Sequence, residues 1–157
     1  MPGIWLSGRR RKGVRMKAKI KSNVVDLRLL IVDFDDINHD EISEMTGQVP
    51  TYIRVKGQPR NLKRPDSPVW PNNLWSIDSG LSMHASFEDQ MSTLLNIIED
   101  NRAAFENLCS KYYSEFACAI KVYKGNGEST PWVHLYNRYN KIARELKIEF
   151  DVDLYAF

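Results

Sequence analysis

The sequence predicts a single α+β domain in which one largely antiparallel sheet carries helices packed on one face. Three observations carry the prediction. At 157 residues, 43% of them hydrophobic and 27% charged, the chain has the size and composition of one domain with one core. Runs that alternate apolar and polar residues are interleaved with runs of helical period, in the order β-α-β-β-α-(α)-β-β-α-β. The last run alternates Ile148, Phe150, Val152 and Leu154 with Glu149, Asp151, Asp153 and Tyr155. Such an acidic face needs a sheet with one side in water, which antiparallel sheets allow.

Residues 24–34 read as a central strand with Val25, Leu27, Leu29 and Ile31 on one face. The other face begins with Asp26 and Arg28 and turns apolar at Leu30, Val32 and Phe34, which predicts cover on both sides at that end. A helix is expected from Asn38, an N-cap with Glu41 three residues on; Ile37 and Ile42 hold the staple positions and Gly47 the C-terminus. Pro50 prevents its continuation. Residues 51–55 form a second strand ended by Lys56-Gly57. Pro59, Pro65, Pro68 and Pro71 then mark a long surface loop, with an edge strand near Trp75 to Ile77.

Ser86 caps the next helix, whose Phe87, Met91, Leu94, Leu95 and Ile98 share one face. Phe105, Leu108, Cys109 and Tyr112 repeat the pattern, and Asp100 either separates two helices or lies on the outside of one long one. Residues 115–123 read as a strand with Phe116, Cys118, Ile120 and Val122 inward. The turn Lys124-Gly125-Asn126-Gly127 predicts a hairpin returning through Trp132 to Leu135. A short helix with Tyr139, Ile142 and Leu146 on one face precedes the final strand.

The chain divides into a basic N-terminal tail, residues 1–22, and the domain, residues 23–157. The tail holds Arg9, Arg10, Arg11, Lys12, Arg15, Lys17, Lys19 and Lys21 and no acid, which leaves the domain at −6 although the whole chain is +2. Such a tail suits nucleic acid or an anionic surface. Met16 opens Met-Lys-Ala-Lys-Ile-Lys, which reads equally well as a start, with residues 1–15 as upstream sequence. Cys109 and Cys118 sit among apolar residues without metal-ligand spacing, and there is no N-x-[ST] sequon. With no membrane-length apolar run and no apolar stretch after the basic residues, the chain is expected in the cytoplasm, with buried thiols and no membrane contact.

Chemistry-bearing residues are sparse. Asp33, Asp35 and Asp36 end the first strand, and Glu149, Asp151 and Asp153 line the last; they would form a Mg²⁺ site if the strands were neighbours, and a solvated face otherwise. His39, His84 and His134 lack paired spacing, and Ser82-Met-His84 lacks the G-x-S-x-G elbow. No phosphate-binding loop is present. No catalytic, metal-binding or cofactor-binding residue is assigned, and no cofactor is expected. The richest segment is 54–75, where Arg54, Lys56, Arg60, Lys63 and Arg64 precede Trp70 and Trp75. Cations beside aromatic rings suit protein interfaces and single-stranded nucleic acid alike; the net acidic domain favours a protein.

Glu41-Ile42, Gly47, Pro50-Thr51, Lys56-Gly57, Trp75, Leu94-Leu95 and Asp153-Leu154-Tyr155, in that order, resemble the bacterial proteins grouped as domain of unknown function 4279, over about residues 24–155. That family has no established activity, so the resemblance implies no catalytic residue. Some of its relatives accompany other genes as small companions, which implies an immunity or inhibitor role. The expected function is thus a non-catalytic protein-binding module using the 54–75 loop, with the acidic face of the last strand as a further contact surface. The alternative is a nucleic-acid-associated accessory protein using that loop and the basic tail.

Overall fold

The computed structural model describes residues 21–157, so the basic tail, apart from Lys21 and Ser22, lies outside the described residues. The elements are β1 Val24–Val32, α1 His39–Thr46, β2 Tyr52–Arg54, β3 Leu74–Asp78, α2 Phe87–Asp100, α3 Arg102–Lys111, β4 Tyr113–Val122, α4 Asn137–Leu146 and β5 Glu149–Ala156. They form an α+β domain around one five-stranded sheet of order β2-β3-β1-β4-β5. Every pairing is antiparallel except β4 with β5, which is parallel. A parallel neighbour needs a crossover, and α4 supplies it.

The alternation seen in the sequence sets the two faces. Val25, Leu27, Leu29 and Ile31 join Ile77, Trp75, Phe116, Cys118 and Ile120 on the buried face, where the apolar stripes of all four helices meet them in one core. The opposite, open face carries Asp26, Arg28, Leu30, Glu115, Ala117 and Ala119, all partly exposed.

The α1 start forms as its residues dictate. Asn38 accepts from the Glu41 N–H (3.0 Å) while the Glu41 carboxylate accepts from the Asn38 N–H (2.7 Å), and Gly47 ends the helix at φ 66°. Asn101 separates α2 from α3, so the apolar stripe from Phe87 to Tyr112 is two helices.

Four expectations are corrected. The far end of β1 is covered only in part on its second face: Leu30 and Val32 stay partly exposed beside the buried Leu74 and Ser76. Phe34 reaches the core because Asp33 takes the left-handed region (φ 62°) and breaks the alternation. The strand at Trp75 is interior, since β2 takes the edge and β3 pairs with both β2 and β1. No strand forms over Trp132 to Leu135; β4 is paired along its length by β1 on one side and β5 on the other, so a returning strand has no free neighbour. Finally, Val152 and Leu154 are 45% and 68% exposed. Ile148 and Phe150 are covered, Phe150 by Phe87 and Tyr139, but the helices do not extend over the rest of β5.

Candidate functional site

The segment between β2 and β3 is a folded arm. The Gly57 N–H donates to the Trp70 carbonyl, the Trp70 N–H to Gln58 and the Arg60 N–H to Pro68, each at 2.9 Å, with Pro59 bridged to Val69. The prolines do not prevent this ribbon because the bonds run from non-proline donors, with the Pro68 carbonyl as one acceptor. Its tip is closed by Asn61 and Ser67: the Asn61 N–H donates to Ser67 Oγ (3.1 Å), which donates to the Asn61 carbonyl (3.3 Å). The Ser67 N–H also donates to the Arg64 carbonyl (2.8 Å).

The basic residues divide between base and tip. At the base, the guanidinium of Arg54 lies 4.4 Å and that of Arg60 5.0 Å from the Trp70 ring centroid, within cation–π range. Arg54 Nε also donates to the Tyr52 hydroxyl (3.3 Å). Lys56 pairs with Asp35 at 3.0 Å, an exposed bond screened by water. At the tip, Lys63 and Arg64 stand exposed beside Leu62, which is 77% exposed.

Trp75 does not belong to this surface. It is fully buried, and its Nε1–H donates to Ser43 Oγ (3.0 Å). Its place in β3 aims the ring into the core, whereas the arm has already turned away. The structure therefore brings Arg54, Arg60 and Trp70 together, sets Lys56 to one side, and presents Lys63 and Arg64 at the end.

The carboxylates do not converge. β4 separates β1 from β5, and among the described residues no group of three His, Cys, Asp or Glu could hold a metal ion. Asp36 instead accepts from the Tyr112 hydroxyl (2.6 Å). That bond raises the Tyr112 pKa to about 12 and lowers that of Asp36. Spectrophotometric titration of Tyr112→Phe is expected to lose one phenol from the absorbance rise near pH 12; loss of one near pH 10 would contradict the bond. Because the Asp36 pKa is depressed on folding, its contribution is present above the unfolded value and lost as pH falls through the folded one. The stability gap between wild type and Tyr112→Phe should therefore narrow in acid.

His84 and Ser82 are bonded elsewhere. The His84 ring holds the Asn23 carbonyl through Nδ1 (2.8 Å), and Ser82 Oγ accepts from the His84 backbone N–H (3.1 Å). Asn23 escaped sequence reasoning. It is buried, its backbone N–H donates to Glu128 (2.7 Å), and its side chain takes the Tyr123 N–H (2.9 Å). These bonds form one wall of an open cleft of about 330 Å³ whose other wall includes Trp132. A single Asn before a strand carries no periodic signal, so nothing in the sequence marks it. Both cysteines are free and buried, and burial raises both thiols, Cys118 to about 11 with Asp26 adding to the effect. None of the described helices is long and apolar enough to cross a membrane.

No curated protein and no solved structure matches the chain. The family model described as Domain of unknown function (DUF4279) matches residues 22–157, the whole sheet with its helices and arm, and the chain therefore belongs to that family.

Proposed function

We propose that the protein is a non-catalytic protein-binding module of the immunity or inhibitor kind, acting in the bacterial cytoplasm, and that the arm is its contact surface. The observation that carries this reading is the ordered tip. A ladder rooted in the sheet holds Leu62, Lys63 and Arg64 out from the domain, an apolar residue followed by two cations on a backbone already fixed. Preordering lowers the entropic cost of binding, and the charge selects an acidic partner surface. The two buried, unpaired thiols fit a reducing compartment.

The nucleic-acid alternative needs free rings on which bases stack. Trp70 is engaged by two guanidinium groups and Trp75 is buried, which favours the protein.

Affinity purification from native lysate, with and without nuclease, tests the choice. The expected result is a nuclease-resistant protein partner lost in Arg60→Glu/Arg64→Glu and in Trp70→Ala, each weakening the complex by roughly 2 kcal/mol or more if the arm is the hot spot. Melting temperatures close to wild type would separate this from unfolding. Retained binding by both variants rejects the arm, and nuclease-sensitive material alone rejects the protein partner.

A further inference from the structure

Among the described residues the sheet ends at β5 in an unpaired edge. Phe157 donates to the Val122 carbonyl (2.9 Å) and accepts from the Lys124 N–H (3.0 Å), so its main-chain groups point at β4. Successive residues of a strand alternate in direction, so Val152, Leu154 and Ala156 point theirs outward, where no described strand receives them. Natural edges are commonly blunted by charged side chains, lysine above all, by proline, by bulges or by shortness. β5 has eight residues, neither proline nor lysine, and an unbroken register with β4 from Glu149 to Ala156.

What marks this edge is charge on one side. Glu149, Asp151 and Asp153 stand on the open face; Glu115 lies opposite Glu149, and Asp26 lies across Ala119 from Asp153. Asp26 is paired with Arg28 at 2.9 Å, whereas the three β5 carboxylates form no ion pair among the described residues. On the other side Val152 and Leu154 are exposed. The edge thus alternates anionic and apolar residues beside free backbone donors and acceptors.

A second copy fits poorly. Antiparallel β5–β5 registers centred on Asp151, Val152 or Asp153, which use most of the strand, each set a carboxylate directly opposite a carboxylate, and like charges so placed repel.

We propose that β5 receives an added strand from a partner polypeptide in which basic residues alternate with apolar ones. Its Lys or Arg side chains lie over Glu149, Asp151 and Asp153, and its apolar side chains lie beside Val152 and Leu154. Main-chain bonds supply affinity and alternate side chains supply selectivity, as in other strand additions. This surface lies at the opposite edge of the sheet from the arm and does not depend on the arm's role.

The test uses the full chain and three synthetic heptapeptides: Lys-Val-Lys-Val-Lys-Val-Lys, its Glu counterpart, and a form with the four lysines contiguous. The alternating lysine peptide is expected to bind, to slow hydrogen exchange at the Val152 and Leu154 amides, and to weaken as salt rises. Asp151→Lys/Asp153→Lys should lower its affinity about tenfold, as two cross-strand pairs change from attraction to repulsion. Leu154→Pro removes an outward N–H while sparing the β4 ladder and should abolish binding. Arg60→Glu/Arg64→Glu should leave binding unchanged, so failure here and failure of the arm are distinguishable. Equal binding of the glutamate or contiguous-lysine peptide overturns the proposal, as does binding without protection of those amides. A β5-dependent dimer in sedimentation with no peptide binding would give the edge to a second copy instead.

Discussion

Replacing Gln90 by Leu is expected to destabilise the domain by roughly 2–6 kcal/mol, because it strands two buried main-chain groups at a cost of about 1–3 kcal/mol each. β3 pairs with β1 no further than Arg28, which leaves the Leu27 N–H and the Val25 carbonyl facing a gap in the sheet. Gln90, buried on α2, fills that gap with its amide: Oε1 accepts from Leu27 (3.2 Å), and Nε2 donates to Val25 (2.7 Å) and to Ala85 (3.1 Å). Leu has nearly the same volume, so the change isolates hydrogen bonding from packing. Urea unfolding followed by circular dichroism measures it, and a loss below about 1 kcal/mol would mean that water replaces the amide. Gln90→Glu sharpens the test. A buried carboxyl can still donate to Val25 while protonated, so its folded pKa is raised. That variant should be most stable in acid and lose stability as pH rises above the unfolded glutamate value of about 4.3.

Trp75→Ala should cost roughly 3–5 kcal/mol, the range for removing a buried aromatic side chain. The ring is wholly enclosed in the core that joins the sheet to the helices, and its Nε1–H ties β3 to Ser43 of α1. Trp75→Phe keeps most of the packing and removes the bond, so it should cost less than the alanine change. Set against a domain stability of about 5–15 kcal/mol, the alanine variant would stand near the limit of folding. Thermal melts of the two variants report the difference. Equal costs would assign the effect to the Ser43 bond instead of the cavity.

Trp75 also shows what was legible in the sequence. Alternation placed Val25 through Ile31, Phe116 through Ile120 and the α2 stripe on the buried face, because each pattern repeats and each repeat reports the same side. A lone tryptophan after a proline-rich segment gives no such repeat, and it reads as well for a surface anchor as for a core residue. The arm was legible in composition but not in form. Its prolines signal a break in regular structure, and the bonds from Gly57, Arg60 and Trp70 are set by backbone geometry that composition does not encode. Gln90 was invisible for a related reason. A polar residue on an apolar helical face looks like a gap in the stripe until the sheet it completes is known. The parallel placement of β5 was equally hidden, since alternation fixes which face a residue occupies and says nothing of which neighbour it joins.

The central pairing of β1 with β4 joins Val24 to Lys121 and Val32 to Tyr113, residues far apart in the chain. During synthesis β1 leaves the ribosome early, yet its longest partner is made only after three of the four helices, and β5 follows later still. The chain must therefore close its largest loop before the two halves of the sheet join, a topology that slows folding. Until that closure β3 can pair only one edge of β1, and the other edge of this apolar strand, with Leu27, Leu29 and Ile31, stays open, which is the interval in which a nascent chain of this design would call on a chaperone.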